Sequence, residues 1–271
     1  MPPKAPSYGS HEYWDARFTA NANPFEWLEA PNVLDPYLSE ALRATTDSDP
    51  RLLHIGCGTS LLSFHLRAHV NNPGTIHNVD YSEVAVRVGR QREVDLFKAE
   101  RASHQDQTPF QPSYMRWSGA DLLNPSSLLK ACPPSTYSTV VDKSTSDSIA
   151  CSDDLYVPLP YHITISPKLA SPSALTLSPE PIHPLHVLAI HLALVTKPKA
   201  RWVSLSYSND RYPGFPDPSL FWKLVGKYDI EPPPPAEPPN DNNGTTTVHR
   251  PKVFHWIYVM ERTDVNLYVR K

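Results

Sequence analysis

The stretch His54-Ile55-Gly56-Cys57-Gly58-Thr59-Ser60 decides how the rest of this chain is read. Before it, Arg51-Leu52-Leu53-His54-Ile55 has the length and composition of a short buried strand; after it, residues 60–69 read as a helix stopped by Asn71-Asn72-Pro73-Gly74. Two glycines let the backbone turn sharply and approach a ligand closely. The following helix offers free backbone N–H groups and the positive end of its dipole. A tight turn with no ligand is the bland alternative for the same residues.

The pattern repeats downstream. Residues 75–79 form a second strand candidate ending at Asp80, and Ser82, with Glu83 behind it, starts a helix that carries Val84 and Val88. Residues 101–112 read as a polar loop. Residues 114–117 form a third strand followed by Asp121, a short helix lies near 126–130, and residues 137–141 form a fourth strand ending at Asp142. Strand and helix in alternation predict a parallel sheet with helices on both faces. Upstream, residues 1–9 look like a loose tail. Residues 11–44 are helical and aromatic-rich, with Leu34, Tyr37, Leu38 and Leu42 on one helix face.

The C-terminal half is less regular. Residues 156–184 hold seven prolines and cannot form one helix or a central strand, so they read as an insertion. A helix over 184–196, a fifth strand at 202–206, a short helix at 218–226 and a last strand at 253–262 follow, with a low-complexity proline-rich loop at 232–247.

Composition narrows the function. With 25 Lys and Arg against 28 Asp and Glu, the net charge of −3 argues against a strongly basic nucleic-acid binder. Proline, at 31 of 271, is about twice average usage while glycine, at 9, is about half, which fits stiff insertions on an ordinary core. Three dispersed cysteines support neither a disulfide framework nor a zinc site, and a reducing compartment is the natural expectation. The first fifteen residues lack the apolar region of a secretory signal, and the longest apolar run, about ten residues from His186, is too short to span a bilayer. A cytoplasmic protein is expected.

Gly56, Asp80, Asp121 and Asp142 fall together at the carboxyl edge of the expected sheet, where such folds bind ligands. Asp80, 24 residues after Gly56, has the spacing of an acid that reaches ribose hydroxyls. Asp121 could accept from an adenine amino group or cap the next helix. A dinucleotide fingerprint would need a third glycine where Leu61 stands, and the Gly-Lys-Ser/Thr of a phosphate loop is absent. S-adenosylmethionine carries adenosine without phosphate and needs close backbone approach, a ribose acid and an adenine acceptor. Other chemistries have weaker support. His183, His186 and His191 read as packing or surface on one helix, no metal site is expected, no nucleophile elbow exists, and Cys57 reads as a small space-filler.

Here the sequence resembles the class I S-adenosylmethionine-dependent methyltransferases, and within them the protein methyltransferases that act on translation elongation factor 1-alpha. The resemblance rests on Tyr13-Trp14-Asp15-Ala16-Arg17-Phe18, Phe25-Glu26-Trp27, Gly56-Cys57-Gly58-Thr59-Ser60, Val79-Asp80-Tyr81-Ser82 and Asp142-Lys143-Ser144-Thr145-Ser146-Asp147. It covers residues 11–151; the second half matches in element order and in the aromatic strand Phe254-His255-Trp256-Ile257-Tyr258. Ser144 and Ser146 depart from the subgroup's glycine and leucine, and His54 stands where many class I enzymes carry an acid.

The resemblance implies S-adenosylmethionine as cofactor. Trp14, Phe18 and Trp27 would contact it from the N-terminal cover, Gly56 and Gly58 from the loop, and Asp80 and Tyr81 at ribose and adenine. Asp121 and the Leu122 backbone would hold the adenine, and Lys143 would lie at the methionine end. Asp142 and Asp147, flanking the turn after the fourth strand, are the catalytic candidates by fold analogy. The expected fold is α/β, a Rossmann-like doubly wound, mostly parallel seven-stranded sheet in a single domain over 1–271. A helical cover spans 1–45 and a cofactor-binding half 51–151. The insertion at 156–184 is expected where substrate approaches, and 185–271 completes the sheet. The expected reaction is methylation of a protein lysine or N-terminal amine, with a protein as substrate and neither nucleic acid nor membrane as partner. A non-catalytic methyltransferase-like binding protein and, behind it, an NAD-dependent oxidoreductase remain open.

Overall fold

A computed structural model describes residues 6–103, 113–167, 174–212, 218–231 and 253–270. The loop expected at 232–247, and most of that at 101–112, lies outside them. In chain order the elements are α1 (His11–Ala20), α2 (Asp35–Ala44), β1 (Leu52–Ile55), α3 (Leu62–His65, continued by a 3-10 turn Leu66–His69), β2 (Ile76–Asp80), α4 (Glu83–Ser103), β3 (Arg116–Gly119), α5 (Pro125–Ala131), β4 (Tyr137–Lys143) and α6 (Thr145–Ile149). Three two-residue strands follow, β5 (Pro158–Leu159), β6 (Ile163–Thr164) and β7 (Thr176–Leu177). Then come α7 (Pro184–Val195), β8 (Thr196–Ser206), α8 (Pro218–Phe221), β9 (Trp222–Ile230), β10 (His255–Arg262) and β11 (Tyr268–Val269).

The main sheet has seven strands in the order β3-β2-β1-β4-β8-β10-β9. Pairings from β3 through β8 are parallel, and β10 runs antiparallel to both of its neighbours. The doubly wound, mostly parallel sheet read from the sequence is the one observed. Strand order reverses between β1 and β4, so the carboxyl ends of these two strands flank the crevice where α/β sheets bind ligands.

Both faces of the sheet are covered, which is why its central strands are buried at every position. Alternation sorts their side chains. Leu53, Ile55, Val140 and Trp202 pack with Leu128 of α5 and with Leu185, Leu188 and Leu192 of α7. Leu52, Val141 and Val203 pack with Leu34 and Leu38 of the cover, Leu62 and Leu66 of α3, and Val86 of α4. A buried carboxylate, Glu93, joins α4 to β3 by accepting from the Met115 N–H and the Trp117 Nε1–H, both at 2.8 Å.

Three boundaries differ from expectation. The third strand is shifted to Arg116–Gly119, which sets Gly119 opposite Asp80 and leaves Tyr114 exposed. The fifth strand starts at Thr196, directly after α7, where Thr196 pairs with Tyr137 of β4; Lys197 and Lys199 disguise this end in the sequence. The helix expected over 218–226 stops at Phe221, and Trp222–Ile230 is an edge strand that buries Trp222 and leaves Leu224 and Val225 exposed. Pairing with β10 decides that segment, and local propensity does not.

None of the described residues of the insertion borders the crevice. Its described part lies against α7. Tyr161 stacks on His191 and its hydroxyl meets the His191 Nε2 at 2.7 Å, while Leu155 bridges to Ile182 and β6 pairs with β11. α7 is buried nearly all round, packed by α5, α6, α8 and β8 with Tyr161 of the insertion against His191.

Candidate functional site

The floor of the crevice is the turn after β1. Gly56 and Gly58 have φ of 55° and 49°, the left-handed region that favours glycine. A Cβ on Gly56 would lie 2.1 Å from Thr145 Oγ1, a hydroxyl that already donates to the Ile55 carbonyl, so no side chain fits there. Asp80, at the end of β2, holds the turn from the other side. Its Oδ2 accepts from the Gly58 N–H at 2.8 Å and its Oδ1 from the Ser82 N–H at 2.9 Å. Burial pushes the Asp80 carboxyl up to about 6 against those two hydrogen bonds. Cys57 is buried and its thiol is pushed well up, as suits a space-filler and not a thiolate nucleophile. His54 is held at 3.1 Å from both Ser63 Oγ and Asn78 Oδ1, and burial lowers it to about 4, so its imidazole is neutral.

The roof is aromatic. Trp14 stacks on Phe18 at 5.7 Å and meets Trp27 edge-on at 5.7 Å; Tyr8 meets Trp27 edge-on at 4.9 Å. Residues 6–9 are therefore no loose tail. The Tyr8 carbonyl accepts from Trp14 Nε1 and Ser148 Oγ, and the Tyr8 ring reaches the cavity. Tyr81 donates to the Ser10 carbonyl, and Ser82 Oγ bonds to Asp15. Glu26, between the motif aromatics Phe25 and Trp27, accepts from the Leu61 N–H at 2.7 Å and Ser60 Oγ at 2.8 Å, and pairs with Lys143 at 2.9 Å. Lys143 also donates to the carbonyls of Trp27 and Glu29. Its three N–H donors thus clamp the cover to the end of β4. Burial lowers its pKa, with Glu26 opposing that shift.

The third wall follows β3 and β4. Asp121 is exposed and its Oδ1 accepts from the Leu123 N–H at 2.8 Å, whereas Asn124 caps α5. The Leu122 carbonyl accepts from His191 Nδ1 at 2.6 Å, so the histidine of α7 fixes the loop that carries Asp121 and Leu122. Ser144 takes a left-handed backbone, φ 65°, at the position where the resembled subgroup carries glycine. Its buried hydroxyl has no partner among the described residues and borders the cavity.

Asp142 and Asp147 part company. Asp142 is wholly buried and does not line the cavity. It accepts from the N–H groups of Thr145 and Ser146, from Ser146 Oγ and from Ser204 Oγ. Burial pushes it up to about 6, and Asp147 adds to the shift. The expectation that Asp142 meets an incoming amine is corrected here: the side chain turns inward to cap α6 and fasten β8. Asp147 does line the cavity. It accepts from Ser206 Oγ at 2.5 Å and the Tyr207 N–H at 3.2 Å, and pairs with Arg211 at 2.8 Å. Burial raises its pKa while Ser206 and Arg211 restrain it.

The cavity so enclosed has a volume of about 260 Å³. Trp14, Phe18, Trp27, Gly56, Gly58, Asp80, Tyr81, Asp121, Leu122, Lys143 and Asp147 all border it; Asp142 and the described residues of 156–184 do not. Sequence reasoning missed Tyr8, Thr145, Ser148 and Tyr207 on its wall. Only for Thr145 was there a signal, its place within the motif after Asp142.

No family model matches the chain. It is 35% identical over 154 residues to methyltransferase srdJ of Neurospora crassa, a match covering 56% of this chain and 58% of that protein. It is 32% identical over 94 residues to EEF1A lysine methyltransferase 4 of Bos taurus, covering 34% of each. The chain thus spans less than two thirds of either relative. Among solved structures, an S-adenosylmethionine-dependent methyltransferase of Anabaena variabilis superimposes with a TM-score of 0.53 at 9% identity over 96% of both chains. A structure from work on disulfide-to-thioacetal conversion in echinomycin biosynthesis gives 0.50 at 16% identity over 94% of both. The seven-stranded sheet is the fold of that Anabaena methyltransferase, and the sequence likeness to known methyltransferases runs over 56% of this chain.

Proposed function

We propose that this chain is an S-adenosylmethionine-dependent methyltransferase whose acceptor is a protein amine, a lysine side chain or an N-terminus, with elongation factor 1-alpha as the first candidate. The observation that carries the reading is the Asp80 carboxylate at the carboxyl edge of β2, bound to the Gly58 N–H and bordering an aromatic-roofed cavity. The residues fit the cofactor. The glycine turn leaves the backbone bare, Asp80 has acceptor capacity beyond its two N–H partners, and Ser144 offers an unpaired hydroxyl. Bound there, the cofactor would supply an electrophilic methyl group on a sulfonium.

The chain's own groups have separable tasks in this reading. Asp80 and Tyr81 hold the ribose side, while Leu122 and Asp121 hold the adenine side. Trp14, Phe18 and Trp27 exclude water and present aromatic faces to positive charge. Lys143, saturated by Glu26 and two carbonyls, keeps the roof down, and a contact with a cofactor carboxylate would compete with Glu26. Asp147 is the acid that can meet substrate. Among the described residues its Oδ2 takes only the 3.2 Å bond from Tyr207, and it can hold the N–H of an incoming amine so that the lone pair faces the methyl. Asp142 is a positioning residue for α6. The amine must arrive neutral, and a free lysine has a pKa of about 10.4, so turnover rises from about pH 7 to 9. The protein-substrate part of the reading draws support from the similarity to EEF1A lysine methyltransferase 4.

The test is calorimetric titration with S-adenosylmethionine and NAD in parallel, then tritiated-methyl transfer into a cell lysate with elongation factor 1-alpha added. Binding of S-adenosylmethionine alone and a labelled protein are expected. Binding without any labelled protein favours the non-catalytic reading, and binding of NAD instead overturns the cofactor assignment.

A further inference from the structure

On the far side of α3 from the glycine turn, two imidazoles converge on one carboxylate oxygen. His65 Nε2 lies 2.5 Å and His69 Nε2 2.9 Å from Asp35 Oδ1. The histidines are four residues apart and close two successive turns, so they share a helical face. Asp35 comes from elsewhere, the first residue of α2 in the N-terminal cover. Among the described residues this is the one group of three side chains whose donor atoms come together as metal ligands do, all within 4.8 Å. None of the three borders the cavity.

We propose that Asp35, His65 and His69 form a site for a divalent transition-metal cation of the Zn2+ class, with water in the fourth position, that staples the cover to the helix behind the glycine turn. Two imidazoles and one carboxylate are a donor set that suits Zn2+ and disfavours Mg2+ or Ca2+, which take oxygen ligands. Tetrahedral arms of 2.0–2.2 Å set ligand atoms roughly 3.3 Å apart, so the present contacts need to open by less than about 1 Å. Solvent can deliver the ion, since the side chains of Asp35, His65 and His69 are 40%, 28% and 13% exposed. Methyl transfer needs no metal, so the site's role is mechanical. α3 begins at the turn that Glu26 grips, and a metal at its other end would anchor the same helix to the cover a second time.

The test uses full-length protein without a histidine tag, stripped with chelator and titrated calorimetrically with ZnCl2. Expected are one equivalent bound and a melting temperature raised by several degrees, with MgCl2 inert. The His65→Gln/His69→Gln variant should lose at least about tenfold in affinity and most of the thermal shift, and cofactor binding provides the check that it is folded. Should the double variant fail to fold, His69→Gln and the visible spectrum of the Co2+-loaded parent replace it. Unchanged zinc binding in the variant, an equal shift with MgCl2, or a Co2+ spectrum without tetrahedral bands each overturns the proposal.

Discussion

Asp80 and Asp142 occupy equivalent places, one at the end of β2 and the other near the end of β4, two strands that flank β1. Both are buried, both are pushed up to about 6 by burial, and both receive backbone N–H groups from the start of the next helical segment. They differ in what is left over. Asp80 takes two backbone donors and faces the cavity. Asp142 takes two backbone donors and the hydroxyls of Ser146 and Ser204, and is sealed from it. A strand-end acid becomes a ligand-binding group when its neighbours leave acceptor capacity unspent. When they supply hydroxyls, it becomes part of the frame.

The largest effect should come from breaking the frame. Asp142→Ala orphans two buried N–H groups and two hydroxyls and should cost about 3–5 kcal/mol of stability in a urea melt, with cofactor affinity of the folded fraction within about twofold of the parent. If affinity falls as far as stability, the distinction between the two acids fails.

Protonation offers a second way to sharpen it. Each carboxyl has a folded-state pKa raised from 3.8 to about 6, so folding takes up protons in that window. The sign follows: the contribution is fully present below about pH 4 and is lost as pH rises through 6, by at most about 3 kcal/mol per group. Asp80→Asn and Asp142→Asn should each flatten stability between pH 4 and 6. Cofactor would flatten the Asp80 component alone, because ribose hydroxyls donating to that carboxylate favour its ionised form and lower its pKa. On adding S-adenosylhomocysteine the slope should flatten in Asp142→Asn, which keeps Asp80, and not in Asp80→Asn; an equal change in both variants would remove Asp80 from the cofactor's contacts.

Asp80→Ala should weaken cofactor binding by about 1–3 kcal/mol, read by calorimetry, because ribose hydroxyls would face an empty site. The smallest effect belongs to the clamp. Glu26→Gln removes one partner of Lys143 but keeps its size, and should lower cofactor affinity by about 1 kcal/mol while quenching less of the tryptophan fluorescence change on binding. An unchanged fluorescence response would mean that the cover does not depend on this pair.

The legible parts of the site are those whose signal is local. The Gly56–Gly58 turn, Asp80 and the aromatics Trp14, Phe18 and Trp27 each stand in a short motif, and all of them border the cavity. Glu26 stands within such a motif, yet its grip on Leu61 and Lys143 depends on chain segments 35 and more than 100 residues away. The Asp35-His65-His69 group has no sequence signature beyond the four-residue spacing of its histidines, because its third member lies 30 residues upstream.

Strand–helix alternation, two glycines at a strand end and acids at successive strand ends were enough to determine a parallel doubly wound sheet and the edge at which its cavity lies. They act through backbone geometry and burial, which local composition encodes. Tertiary packing alone decided which acid faces the cavity, because that turns on whether Ser146 and Ser204 or open space lie beside a carboxylate. It also decided that Tyr161 of the proline-rich segment meets His191, which happens only after the sheet has brought α7 to its place. Hydrogen-bond saturation is a property of neighbours in space, and no spacing along the chain records it.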